Sequence, residues 1–329
     1  MKPIVLKKLK GRRVALQFPE GLRHRAFEFA KMLEERNGCE VVLLGDACYG
    51  ACDLPGASMM GDIEADILLH LGHLPFPRTK KKIGRAEVMF LEMEIDIDLD
   101  RMFKVILGKQ NVKKLGAHVG LATTAQHMHQ LKEIKACLKE EGVRAELLKW
   151  GSRSLAPGHV VGCSFSGASR FKGYSILFIG TGTFHPLGIA LASSAPVFQY
   201  DPERCELVEH AGTKDRFLRK RFASIANSQD AKRFGIIVSS KPGQLRKTLA
   251  ELARKMVEDA GKEAVVVVVD EVRSELLNYM DMDAWINTAC PRISLDDSER
   301  FKAPVLTFFE AEIALGIRKW GKYEMDSFG

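Results

Sequence analysis

Seven cysteines stand at positions 39, 48, 52, 137, 163, 205 and 290 of a 329-residue chain, and three of them share a setting. Cys52 ends the stretch Gly45-Asp46-Ala47-Cys48-Tyr49-Gly50-Ala51-Cys52, where the apolar run Val41 to Leu44 gives way to a glycine-bearing turn. Cys163 lies in Val160-Val161-Gly162-Cys163-Ser164-Phe165-Ser166-Gly167, and Cys290 in Asn287-Thr288-Ala289-Cys290-Pro291-Arg292. Cysteines on loops past strand ends, in a chain expected to lack a secretory signal, are more often ligands or redox groups than disulfide partners. Three thiolates are the ligand set of a [4Fe–4S] cluster with one iron left open, whereas structural zinc takes four closed ligands. The competing reading is three separately buried thiols, because free cysteine is among the most buried residue types. Repetition of one setting weighs against it. Cys39 and Cys137 fall at or near helix C-termini, Cys205 has no counterpart in the repeat, and all three read as ordinary packing. Cys48 and Cys52 begin the Cys-x-x-x-Cys-x-x-Cys pattern of conventional radical enzymes, but Pro55 stands at the third position. Cys48 therefore reads as a bystander, or at most as a neighbour of the cluster.

Loops of this kind need strands to hold them. Residues 13–18 predict a strand ending at Pro19-Glu20-Gly21, then a helix through Leu22, Phe27, Phe29, Ala30 and Leu33 that Asn37-Gly38 stops. The strand Glu40–Leu44 leads into the Cys52 loop, and strands over 65–73 and 88–93 follow. A second copy opens with a strand over 116–122, the turn Thr123 to Gln126, a helix over 127–141 and a strand over 145–149. After the Cys163 loop comes a strand over 174–179, ending in Gly180-Thr181-Gly182-Thr183-Phe184-His185. The third copy has a strand over 234–238, the turn Ser239 to Gln244, a helix over 245–259 and a buried strand Ala264–Val269. Cys290 and a strand over 303–308 complete it. Strands alternating with helices argue for α/β architecture with mainly parallel sheets covered on their faces. A period of about a hundred residues suits three similar small domains, here 1–113, 114–217 and 218–329, rather than a solenoid.

Ligands of open parallel sheets collect at the carboxyl ends of the strands. All three cysteines are expected there, beyond the ends of second strands, so domains facing one another would bring them together. The three polar turns should ring the same cavity at helix N-termini, where backbone N–H groups favour a carboxylate. Gln17, Pro19 and Gly21, Thr123 and Gln126, Gly182, and Ser239, Ser240 and Gln244 are thus binding candidates by position, with ordinary turns and caps the equal alternative. His73 and His185, at the ends of third strands, face the same side and receive no assigned role.

The chain is 46% hydrophobic and 28% charged, a soluble globular balance, with a net charge of +7. The clusters Arg78 to Lys82 and Arg216 to Arg221 lack interleaved aromatic residues, so no direct nucleic-acid contact is expected. The N-terminus, Met1 to Lys8, is basic without a long apolar region, and Ala264–Val269 is far too short to span a bilayer. A cytoplasmic protein with no membrane contact is expected.

Gln17-Phe18-Pro19-Glu20-Gly21-Leu22, Gly45-Asp46, Tyr49-Gly50-Ala51-Cys52, Gly180-Thr181-Gly182-Thr183-Phe184-His185 and the lone Cys163 and Cys290 resemble the archaeal diphthamide synthase (Dph1/Dph2) family. The resemblance covers nearly the whole chain. It implies three Rossmann-like domains around a central [4Fe–4S] cluster held by Cys52, Cys163 and Cys290, and a homodimer. The position before Tyr49 is not a family ligand, in keeping with setting Cys48 aside. The implied activity is that of a 2-(3-amino-3-carboxypropyl)histidine synthase, a transferase of the first step of diphthamide biosynthesis. The open iron would bind S-adenosylmethionine, and an electron donor would supply the reduced cluster. The bond from sulfur to the methionine γ-carbon would break, and the 3-amino-3-carboxypropyl radical would add to a histidine of translation elongation factor 2. Methylthioadenosine is the other implied product. Two rivals are a quinolinate synthase, whose open iron acts as a Lewis acid, and a non-catalytic iron–sulfur partner subunit. The Tyr-Gly-Ala-Cys loop and the Gln-Phe-Pro-Glu-Gly turn favour diphthamide synthesis over the first. A full cysteine triad favours a chain that is itself catalytic over the second.

Overall fold

A computed structural model of the chain describes residues 7–76, 79–147, 149–171 and 173–328. Most of the basic N-terminus, Arg78 of the first basic cluster and Leu148 of the strand expected over 145–149 lie outside the described residues. The first sheet contains β1 (Arg13–Gln17), β2 (Glu40–Leu43), β3 (Ile67–Leu71), β4 (Lys82–Ile83) and β5 (Ala86–Leu91), in the order β2-β1-β3-β5-β4. The second contains β6 (His118–Thr123), β7 (Arg144–Leu147), β8 (Ser175–Ile179), β9 (Val197–Asp201) and β10 (Glu206–Glu209), in the order β10-β9-β8-β6-β7. The third contains β11 (Arg233–Ser239), β12 (Glu263–Val269), β13 (Ala284–Asn287) and β14 (Val305–Leu306), in the order β12-β11-β13-β14.

One topology therefore occurs three times. Each sheet places its first strand between its second and third, with β5, β9 or β14 beyond the third, and these four strands pair in parallel. The antiparallel additions β4 and β10 lie at sheet edges. Strand order reverses between the first and third strands of each sheet, and there an open α/β sheet leaves a crevice at its carboxyl edge. Close packing repeats as well. A Cβ on Gly120 of β6 would lie 2.1 Å from the Phe171 ring, and one on Gly235 of β11 would lie 2.2 Å from Trp285. Both glycines are the third residue of a first strand, where Ala15 stands in β1. The missing side chain is what admits the aromatic ring.

The chain forms two compact units. The first holds the described residues to Asp96 with Ala125–His129 and Lys241–Gly243; the second holds Ile97–Thr124, Gln130–Ser240 and the described residues from Gln244. The first sheet's core includes Val14, Leu16, Leu33, Ile67 and Leu69. Phe165, Phe171, Ile176 and Phe178 pack the second, and Phe234, Ile236, Val257, Ile286 and Leu306 the third. Arg221, counted above in a basic cluster, is buried and binds Glu310 through Nε at 2.8 Å, the Ser294 carbonyl at 2.8 Å and the Val305 carbonyl at 2.6 Å. Such a pair is held by its satisfied hydrogen bonds, because a buried charge left alone is strongly destabilising.

Several expectations need correction. β12 is an edge strand with Val265 and Val268 exposed, not a buried one. A run of valines suits any pleated surface and does not encode which faces are covered. β13 lies between β12 and Cys290 and was not foreseen, since four apolar residues carry no period to read. Cys290 thus follows a third strand, whereas Cys52 and Cys163 follow second strands. The first two turns do not enter α-helix directly. They pass through 3₁₀ segments, Glu20–Arg25 and Ala125–Gln130, before the helices Ala26–Asn37 and Leu131–Glu140. Six residues of tighter winding move those helix N-termini away from the strand ends.

Candidate functional site

In the first unit, the carboxyl ends of β1 and β3 meet in register, Gln17 opposite His70. The Gln17 amide spans two neighbours. Its Nε2 donates to the Asp53 carbonyl at 2.7 Å, and its Oε1 faces Nδ1 of His70 at 2.8 Å. Because Oε1 can only accept, His70 Nδ1 carries the proton and Nε2 keeps its lone pair. His70 Nε2 lies 3.0 Å from Nδ1 of His73. Burial, and then the neighbouring His73, hold His70 well below the usual histidine pKa, so it is neutral. Gly72 makes the corner between the two histidines at φ +73°, with Pro19 packed so close that a Cβ there would lie 2.9 Å from the ring. Its carbonyl accepts Gln126 Nε2 at 2.9 Å.

The Cys52 loop is held from two sides in the same unit. Tyr49 N–H donates to the Asp53 carboxylate at 3.1 Å, and the Asp53 N–H bonds the Gly50 carbonyl at 2.9 Å. Lys241, from the turn after β11, forms a buried ion pair with Asp53. Gly243 of that turn lies directly on Cys52. Cys48 is buried, its thiol pushed up to about 12 by burial and next by the charge of Asp53. Its sulfur and one ring nitrogen each of His70 and His73 lie within 4.8 Å of one another.

In the second unit, burial raises the Cys163 thiol, against Arg153 and Arg246, which lower it. Arg153 Nη1 donates to its sulfur at 3.3 Å. Arg246 binds the carbonyls of Thr288 and Ala289, both at 2.7 Å, and so grips the backbone leading into Cys290. It also forms a two-pronged pair with Asp326, at 2.7 and 2.8 Å. Arg153 and Arg246 lie over the Phe328 ring, 3.8 and 4.5 Å from its centre, and the Phe328 N–H donates to the Cys163 carbonyl at 2.8 Å. The surroundings of Cys163 and Cys290 therefore share Arg246. Cys290 itself caps the short helix Pro291–Leu295.

Several turn residues have side chains spent on the protein. Thr123 donates to the Ile179 carbonyl at 2.7 Å, a bond that Thr288 repeats to Ile237 at 2.8 Å in the third sheet. Ser240 donates to the Asp270 carboxylate at 2.8 Å, and Ser239 to the Asp270 carbonyl at 3.3 Å. The Gly182 carbonyl accepts Gln199 Nε2 at 3.0 Å, with the glycine at φ +74°. Gln244 is buried, and Gly21 has open space at its Cα. His185 stacks on Phe178, ring centres 5.8 Å apart. Sequence reasoning missed Arg153, Arg246, the Lys241–Asp53 pair and the grouping of Cys48 with His70 and His73. Only the last left a signal, the His-x-x-His spacing at the end of a strand.

None of the cysteines among the described residues is in a disulfide. No helix among the described residues is long and apolar enough to cross a membrane. The sequence profile of the diphthamide synthesis protein family matches residues 18–324. The chain is 40% identical over 323 residues to 2-(3-amino-3-carboxypropyl)histidine synthase of Pyrococcus horikoshii, covering 98% of this chain and 90% of that one. It is 29% identical to subunit 1 of the Schizosaccharomyces pombe synthase, covering 97% of this chain and 73% of the relative. The crystal structure of Dph2 from Pyrococcus horikoshii with a 4Fe–4S cluster superposes with a TM-score of 0.86 at 40% identity, covering 98% of this chain and 92% of the other.

Proposed function

The chain belongs to the diphthamide synthesis protein family, and from that premise we propose that it is a 2-(3-amino-3-carboxypropyl)histidine synthase acting on a histidine of translation elongation factor 2. The observation that carries this reading is the match along nearly the whole chain to the Pyrococcus horikoshii synthase. Cys52, Cys163 and Cys290 are the proposed ligands of a [4Fe–4S] cluster. Their environments fit that role: three thiols outside any disulfide, on loops past strand ends, one of them already accepting from a guanidinium. When bound, the cluster supplies one electron and an open iron for the methionine part of S-adenosylmethionine.

The chain's own residues position the reactants. Lys241, Asp53 and Gly243 hold the Cys52 loop, and Arg246 holds the approach to Cys290. Arg153 offers its N–H and positive charge to the Cys163 sulfur, which favours the thiolate over the thiol. The turn residues Gln17, Pro19, Gly21, Thr123, Gln126, Gly182, Ser239, Ser240 and Gln244 remain the proposed S-adenosylmethionine contacts. The side chains of Gln17, Thr123 and Ser240 and the backbone N–H groups of Thr123 and Ser240 already bond within the protein, so a ligand contact at those groups would exchange one of these bonds. Three Rossmann-like domains, 1–113, 114–217 and 218–329, facing a central cluster in a cytoplasmic homodimer complete the proposal.

The test is anaerobic incubation of reduced, iron-reconstituted protein with S-adenosylmethionine, with and without the elongation factor. Methylthioadenosine release, with the aminocarboxypropyl group on one histidine of the factor, is expected. 5′-Deoxyadenosine as the main product, or no cleavage at all, would overturn the reading.

A further inference from the structure

We propose that Cys48, His70 and His73 form a second metal site, separate from the three cluster cysteines, that takes a zinc-class divalent cation with three protein ligands and an open fourth position. The three ligand atoms lie within 4.8 Å of one another, two of the residues are buried and His73 is half-buried. Tetrahedral coordination at the usual Zn–N and Zn–S lengths separates ligand atoms by about 3.4 Å. The 3.0 Å between His70 Nε2 and His73 Nδ1 is near that span.

The tautomer of His70 is the second observation. A metal-bound histidine characteristically donates its other ring N–H to an acceptor that fixes the ring. Gln17 does this for His70, and the Asp53 carbonyl fixes Gln17 in turn by accepting its Nε2. The lone pair on His70 Nε2 consequently faces His73 Nδ1. Occupancy replaces the His70–His73 hydrogen bond and displaces protons. The His73 proton moves to its outer nitrogen, and the Cys48 thiol releases its proton as the thiolate binds. A nitrogen–sulfur donor set suits zinc and not magnesium or calcium, which take oxygen ligands. With Cys48 bound in this way, its thiolate is withheld from the neighbouring Cys52 loop.

Iron-free protein titrated anaerobically with cobalt(II), then displaced by zinc, tests the site. A sulfur-to-cobalt charge-transfer band with tetrahedral d–d absorption is expected at one equivalent per chain. It should survive in the Cys52→Ser/Cys163→Ser/Cys290→Ser variant and vanish in Cys48→Ser. His73→Asn and Gln17→Leu should each weaken binding by about tenfold or more. Absence of the band from the wild-type protein, or its persistence unchanged in Cys48→Ser, overturns the proposal. So does loss of the band in the triple variant while circular dichroism shows the native fold, which assigns the metal to the cluster cysteines. If the triple variant does not fold, Cys48→Ser and His73→Asn in the otherwise native chain decide alone. Methylthioadenosine release and cluster content are read separately, so failure here leaves the synthase reading standing.

Discussion

Gly243 and Cys52 are in contact through their backbones: a Cβ on the glycine would lie 2.5 Å from the cysteine Cα and 2.6 Å from its Cβ. No flexible side chain can yield there, so the two backbones must part if residue 243 gains a methyl group. Gly243→Ala should displace the Cys52 loop. Iron bound after reconstitution is expected to fall well below wild type, with the circular dichroism spectrum unchanged. Full iron content in Gly243→Ala would show that the contact does not position the ligand.

The three proposed cluster ligands should be separable from the other cysteines. Reconstituted protein should hold about four irons per chain from the cluster stoichiometry. Single replacement of Cys52, Cys163 or Cys290 by alanine should strip or cripple the cluster. Replacement of Cys39, Cys137 or Cys205 should leave its visible absorption and electron paramagnetic resonance signal in place, and so should Cys48→Ser. A normal cluster in Cys163→Ala would remove the three-cysteine site.

Arg153 donates to the Cys163 sulfur at 3.3 Å. A hydrogen bond and a positive charge at a ligand sulfur stabilise the more negative, reduced state of an iron–sulfur centre. Arg153→Met should therefore lower the reduction potential, read by a spectroscopic redox titration with iron content held equal. An unchanged or raised potential would place Arg153 in a purely structural role, tied to Phe328.

His159 is buried, its Nδ1 has no hydrogen-bond partner among the described residues, and burial lowers its pKa to about 4. The unfolded chain takes up that proton near 6.5, so stability contributed by the neutral ring is intact above that pH. It is lost as pH falls from about 6.5 to about 4, by about 3 kcal/mol in all. Denaturant titrations across this window should show His159→Gln losing less stability between pH 7 and pH 4 than the wild type. Parallel curves would mean that the ring is solvated.

The chain itself determined much of the fold. Cysteines on glycine-bearing loops, apolar runs alternating with helical periods, and breakers such as Asn37-Gly38 are local signals, because turns and periodicity are set by neighbouring residues. They were enough to read three parallel α/β copies and to single out Cys52, Cys163 and Cys290. Tertiary structure decided what depends on distant partners. β13 becomes a strand by pairing with β11 and β14, not through any period of its own. β12 lies exposed because it is an edge. Lys241 finds Asp53 from 188 residues away, and Arg246 reaches Asp326 and the Cys290 loop together. The pairing of β1 with β3 sets Gln17 against His70, and Cys48 and His73 come within reach of that histidine only in the folded chain. Strand order decides such meetings, and no spacing along a single strand encodes the order of a sheet.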